Sequence, residues 1–327
     1  MKISRIAGAA LALACLGAVP ALAPAQAQVQ SKSVAVTAIV EHPALDAVRD
    51  GVRDELAEQG WKPGDTLRFD YQSAQGNPGT AVQIARQFVG QAPDVIVPIS
   101  TPSAQAVVSA ARDIPVVFTA VTDPLGAQLV RDLSKPGRNV TGLSDLSPVA
   151  DHLALIREIM PDAKRLGFPY NPGEPNSVTL LELVKKLAPD HGFSVVEAPA
   201  TRSADVQGAA RGLVGRVDAI YMPTDNTVVS ALEALLIVGA QNKLPVFTAD
   251  TDSVQRGAVA TVGFNYYQVG RQTGQIVARI LKGENPGDIP VKSAEGTDLY
   301  VNPKAAAAMG IALPESVVAR ASKVVGQ

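Results

Sequence analysis

Cysteine is almost missing from this chain of 327 residues; the single one is Cys15. A disulfide framework, a cysteine metal site and a thiol nucleophile are therefore not expected in the body of the protein. Aromatic residues make up 4% and charged residues 18%, against 46% hydrophobic. The formal charge is −2 and no long basic run occurs, which disfavours nucleic acid and anionic membrane surfaces as partners. Neither G-x-x-x-x-G-K-[ST] nor G-x-G-x-x-G occurs, so a nucleotide site lacks support. The nucleophile elbow G-x-S-x-G is absent, and Gly142-Leu143-Ser144-Asp145 does not match it. His42, His152 and His191 are far apart and give no zinc spacing. No cofactor and no metal are expected.

The N-terminus reads as a processing signal. Lys2 and Arg5 form a positive start, and residues 6–19 are an apolar run shorter than the about 20 residues of a spanning helix. Ala25-Gln26-Ala27 is an A-x-A cleavage site, so 1–27 is expected to be a signal peptide and Gln28 the mature start. Loss of Lys2 and Arg5 takes the formal charge from −2 to −4. Cys15 would leave with the leader. The competing readings are an uncleaved anchor and lipid attachment at Cys15.

Residues 94–124 are the most informative stretch. An apolar strand (95–99) is followed by a polar turn, a helix (104–111) and a second apolar strand (115–120) that runs into Thr122-Asp123-Pro124. This is a βαβ unit with hydroxyls at both strand ends, where open parallel sheets bind ligands. A shift of 124 residues lays it on a second copy that starts at Asp218. Thr101 then falls on Asp225. Past a few extra helix residues, Phe118-Thr119-Ala120 matches Phe247-Thr248-Ala249, and Thr122-Asp123 matches Thr251-Asp252. Strands alternate with helices along the rest of the chain, which argues an α/β protein with parallel sheets and right-handed crossovers. Two copies of one half imply two similar lobes facing each other across a cleft.

The polar loops at the strand ends would line that cleft. Thr101 suits a helix N-cap and Pro102 the first helical position, while Ser103 and Thr122 add hydroxyls. A helix N-terminus of this kind offers free N–H groups to a carboxylate or phosphate. The second copy puts Asp225 where the first has Thr101, and Glu174, Asp145 and Asp250 can add to that acidic wall. One wall then suits an anion and the other a cation, as a zwitterionic amino acid requires. His42, just after the first strand, reads either as a cleft contact or as a structural residue. Tyr170, Phe264, Tyr266 and Tyr267 fall beside the cleft, with core packing as the alternative use of each.

The chain resembles the periplasmic binding-protein components of ABC transporters, in the branch associated with tryptophan, phenylalanine and tyrosine binding. The residues that carry the resemblance include Val40-Glu41-His42-Pro43-Ala44-Leu45-Asp46, Ala74-Gln75-Gly76 and Thr101-Pro102-Ser103-Ala104-Gln105-Ala106. They continue through Ile114-Pro115-Val116-Val117-Phe118, Ala120-Val121-Thr122-Asp123-Pro124, Asn139-Val140-Thr141-Gly142 and Ser144-Asp145. Tyr170-Asn171, Glu174-Pro175-Asn176-Ser177 and Pro223-Thr224-Asp225-Asn226 complete them, so the match spans about residues 33–323. The resemblance implies two Rossmann-like lobes in a type I periplasmic-binding fold with three hinge crossings. On this basis the first lobe is expected to hold 28–146 and about 264–284, and the second 147–263 and about 285–327. The resemblance further implies a monomer in the periplasm that closes on an amino acid, aromatic or otherwise apolar, and delivers it to an inner-membrane ABC permease.

Carried over by position, Thr101, Ser103 and Thr122 would hold the ligand carboxylate and Asp225 the ammonium. His42, Asp145, Tyr170, Glu174 and Asn176 would line the cleft, with Ala104, Asp123, Asp250 and Phe264 beside them. Two departures from the family pattern are Phe168-Pro169 ahead of Tyr170, and Asn77-Pro78 after Gly76. The alternatives are a sensing protein for another small carboxylate or amino-acid derivative, and a cleft enzyme that uses carboxylates such as Asp123 and Asp145 as acid and base.

Overall fold

The computed structural model describes residues 31–326, so the leader and Cys15 lie outside the described residues. The first lobe begins with β1 (Lys32–Ala38), α1 (Pro43–Glu58), β2 (Leu67–Ser73) and α2 (Pro78–Gln91). It continues with β3 (Val95–Ile99), α3 (Thr101–Ala110), β4 (Val116–Val121) and β5 (Val140–Ser144). The second lobe opens with α4 (Val149–Ile159), β6 (Arg165–Tyr170), α5 (Pro175–Leu187), β7 (Ser194–Pro199) and α6 (Val206–Leu213). It then adds β8 (Ala219–Met222), α7 (Asn226–Ser230), α8 (Leu232–Asn242), β9 (Val246–Thr248), α9 (Thr251–Arg256) and β10 (Ala260–Phe264). The chain returns to the first lobe as α10 (Tyr266–Leu281) and β11 (Lys292–Ser293). It ends in the second with β12 (Thr297–Val301), α11 (Pro303–Ala308), α12 (Glu315–Ala319) and β13 (Lys323–Val324).

The first sheet has the order β11-β5-β4-β3-β1-β2, and its described pairings are parallel. The second lobe's parallel sheet has the order β7-β6-β8-β9, and β10, β12 and β13 form a further small sheet. β3 and β4 are buried along their whole length, as strands covered by helices on both faces must be. Each lobe has its own apolar core. Strand order reverses between β1 and β3 in one lobe and between β6 and β8 in the other. Those two switch points are where a doubly wound sheet opens a crevice beyond its carboxyl ends.

Three crossings join the lobes among the described residues: 145–148, 265 and 295–296. The last lies later than the sequence suggested. Residues 285–294 were expected in the second lobe, but β11 pairs with β5, Ile289 and Val291 enter the first core, and the Thr141 hydroxyl donates to the Ile289 carbonyl at 2.7 Å. A two-residue strand has no periodicity to read. Of the two departures, Pro169 sits within β6 on the side that pairs with β7, and Asn77 is the N-cap of α2, accepting from the Thr80 N–H.

Candidate functional site

The two switch points face each other across a pocket of about 360 Å³, its mouth included. The first lobe contributes His42 after β1, Ser100 after β3, Ala120 and Thr122 at the end of β4, and Asp145 after β5. The second contributes Asn176 from α5, the run Thr224-Asp225-Asn226 after β8, and Asp250 after β9, while Tyr266 enters from the start of α10. Of the expected residues, His42, Thr122, Asp145, Asn176, Asp225 and Asp250 thus line one pocket.

Thr101, Ser103 and Ala104 lie buried in the first turn of α3, immediately behind Ser100. The expected N-cap is displaced by one residue. Ser100, not Thr101, is the cap, and its side chain makes no capping bond. The hydroxyls of Thr101 and Ser103 are buried without a hydrogen-bond partner among the described residues. The N–H groups of Thr101 and Ser103 fall in the first helical turn, where no intrahelical acceptor exists. Ser100 (φ 80) and Ala120 (φ 51) are both in left-handed backbone conformations. Such strain costs about 1–3 kcal/mol per residue and collects at functional sites. No sequence pattern marks it.

Across the pocket, Asp225 caps α7. Its carboxylate accepts from the Val228 N–H at 2.8 Å, the Asn171 N–H at 2.6 Å and the Ser177 hydroxyl at 2.6 Å. Glu174 lies behind it and accepts from both nitrogens of Asn226, from the N–H and hydroxyl of Thr227, and from the Asn176 amide. Burial, and then the neighbouring Glu174, push the Asp225 carboxyl well above its ordinary value. Asp250 is the cap of α9, with Ser253 donating through both its N–H and its hydroxyl. These three carboxylates are largely consumed in holding loops and helix starts in place.

Asp145 is different. It is 2% exposed; its Oδ2 accepts from the Tyr266 hydroxyl at 2.6 Å, and its Oδ1 has no partner among the described residues. Burial raises its pKa to about 6, against the opposing pull of the Tyr266 hydrogen bond. His42 caps α1, with Nδ1 accepting from the Leu45 N–H at 3.4 Å. Burial, and then Arg256, lower its pKa to about 3, so the ring is neutral near pH 7 and no base poised at that pH. Asn176 Oδ1 and Thr224 Oγ1 are two more buried oxygens without partners.

Three expected residues are used elsewhere. The Tyr170 hydroxyl donates to Glu197 on the neighbouring β7, away from the pocket lining. Asp123 accepts from the N–H groups of Leu125 and Gly126 and so shapes its own loop. Phe264 packs into the first core at the second crossing. Ser100, Thr224 and Asn226 were missed, although each adjoins a residue that was singled out. Among the described residues no group of three or more His, Cys, Asp or Glu side chains is placed to hold a metal ion. Nor is any described helix long and apolar enough to cross a membrane.

The family described as ABC transporter substrate binding protein matches residues 33–325, and the chain belongs to it. A tyrosine-binding protein of Clostridioides difficile (strain R20291) is 38% identical over 273 residues, which cover 84% of this chain and 79% of that protein. The crystal structure of an ABC domain in complex with L-Trp from Streptococcus pneumonia is 34% identical, with a TM-score of 0.87 over 90% of this chain and 100% of that one. The ligand-free, open structure of a substrate binding protein with adhesive properties from Clostridium difficile is 40% identical, with a TM-score of 0.68 over the same shares. The two-lobed α/β architecture of this chain agrees with both solved structures.

Proposed function

We propose that this chain is the periplasmic component of an ABC importer, capturing a free aromatic amino acid between its lobes and delivering it unaltered to a permease. The observation that carries this reading is the set of buried oxygens without partners at and just behind the pocket. Leaving a buried polar group unsatisfied costs about 1–3 kcal/mol, and a bound ligand would remove that cost. The hydroxyls of Thr101 and Ser103, with Thr122 and the first turn of α3, fit a carboxylate. The acidic wall fits an ammonium. Asn176 Oδ1 and Thr224 Oγ1 on the second lobe fit a donor on the ligand's side chain, such as a phenol O–H or an indole N–H. The names of the tyrosine-binding relative and the L-Trp complex agree with both ends of that description.

The lobe arrangement supports capture by closure. The open relative has the higher identity but the poorer superposition, 0.68 against 0.87. That difference is what a change in lobe placement produces when the fold of each lobe is kept. The ligand favours the closed state only by binding it more tightly than the open one.

A thermal-shift screen of the amino acids tests the proposal, because a ligand of the native state stabilises it by RT ln(1 + [L]/Kd). L-tyrosine and L-tryptophan should raise the melting temperature more than L-phenylalanine, which lacks the side-chain donor. A flat response to all amino acids would refute the reading.

A further inference from the structure

Four carboxylates lie at or behind the pocket: Glu174, Asp225 and Asp250 on the second lobe and Asp145, which the sequence reading adds to that acidic wall, on the first. Their hydrogen bonds separate them. Asp225 has three protein donors, and Glu174 has five. Asp250 has two, one on each oxygen. Of these four, only Asp145 keeps an oxygen with no protein donor, and that oxygen is buried in a side chain that lines the pocket. A carboxylate oxygen can only accept, so the group that completes it must carry N–H or O–H donors. A positively charged donor suits it best, because the resulting bond is charge-assisted and replaces lost hydration.

We infer that Asp145, rather than Asp225, is the counter-ion of the ligand's α-ammonium, and that Tyr266 is the residue that positions it. This rests on the amino-acid reading above. Asp145 lies on the first crossing between the lobes, where its N–H donates to the Val121 carbonyl at 3.1 Å and ties it to the end of β4. Tyr266 opens α10, directly after the second crossing, and is 3% exposed. Their 2.6 Å hydrogen bond therefore ties the first crossing to the start of the helix that follows the second. An ammonium on the other oxygen of Asp145 is in contact with the hinge itself.

Both charged ends of the ligand then belong to the first lobe. The carboxylate lies with the residues that follow β3 and β4, and the ammonium with the residue that follows β5, three strands that are neighbours in one sheet. The amino-acid head group docks on the first lobe while the cleft is open. The second lobe closes over the side chain and supplies the partners that read it.

The test is a comparison of ligands that differ only in the ammonium. Dissociation constants are measured by calorimetry for L-tyrosine and 3-(4-hydroxyphenyl)propionate, and for L-tryptophan and indole-3-propionate. Wild-type protein should prefer each amino acid over its des-amino partner by about 10- to 100-fold, the range of one charge-assisted hydrogen bond. Asp145→Asn should remove most of that preference by weakening the amino acid alone. Tyr266→Phe should reduce it by a smaller factor. Asp225→Asn should weaken both members of each pair alike, since it disturbs the start of α7. Circular dichroism checks that each variant is folded. If Asp145→Asn keeps the preference, or Asp225→Asn alone abolishes it, the assignment is overturned while amino-acid binding stands. If wild-type protein binds no amino acid, both fall together.

Discussion

Asp145→Asn should make the ligand-free protein more stable at neutral pH, and the gain should vanish in acid. The native carboxyl titrates near 6, against 3.8 for the free side chain. A raised carboxyl pKa means that the folded state holds the proton more tightly. That stabilisation is fully present below about pH 3.8 and is lost as the pH rises through about 6. Integrated, the loss amounts to about 3 kcal/mol above pH 7, most of it between pH 4 and pH 7.5. Asparagine has no proton to lose, so the variant avoids this loss. Urea unfolding of both proteins at several pH values reads the difference directly. The constant effect of the amide cancels between pH values, as do Asp225, Asp250, Asp252 and His42, which both proteins share. The variant's advantage should grow by about 2 kcal/mol from pH 4 to pH 7.5. Tyr266→Phe removes a hydrogen bond that lowers the Asp145 pKa, so it should move the same change to higher pH. Saturating amino acid should shrink it, since the ammonium favours the charged carboxylate. Parallel pH profiles for wild type and Asp145→Asn would refute the claim that Asp145 is held unsatisfied.

Much of the scaffold was legible because it repeats. The 124-residue shift pairs Asp94 with Asp218, and the structure gives the two the same task. Asp94 accepts from the N–H and hydroxyl of Ser33 and so pins the start of β1. Asp218 accepts from the N–H groups of Lys164 and Arg165 and so pins the start of β6. The pairing slips by one residue at the cleft, where Ser100 and Asp225 occupy equivalent cap positions instead of Thr101 and Asp225. The slip follows from the left-handed backbone at Ser100, a conformation that residue types alone do not signal. Asp at a strand end is ambiguous for a physical reason. The same carboxylate can cap the next helix, as Asp225 and Asp250 do, shape a turn, as Asp123 does, or stay free, as one oxygen of Asp145 does. Only a hydrogen-bond count separates these uses, and a count needs coordinates. Tyr170 was misplaced for a related reason. It ends a strand at the cleft side, but its hydroxyl reaches sideways to Glu197.

Glu174→Ala would strip the acceptor from five donors around the start of α7, at a cost of about 3 kcal/mol or more by the usual penalty for a broken buried network. Urea denaturation measures it, and a loss under 1 kcal/mol would show that the network is dispensable. The remaining prediction concerns the seat of Tyr266. Helices α1 and α10 approach so closely that a Cβ added at Gly270 would lie 2.2 Å from the Val48 carbonyl oxygen, and one added at Gly51 would lie 2.2 Å from the Tyr267 carbonyl oxygen. Backbone cannot yield as a side chain can, so either Gly→Ala change must push the helices apart, at about 1–3 kcal/mol for overpacking. One separation relieves both clashes, so the double variant should cost clearly less than the sum of the single ones. The same movement carries Tyr266 away from Asp145, so both single variants should also weaken amino-acid binding. Additive stability costs, or unchanged affinity in variants that are measurably destabilised, would separate the helix contact from the hinge.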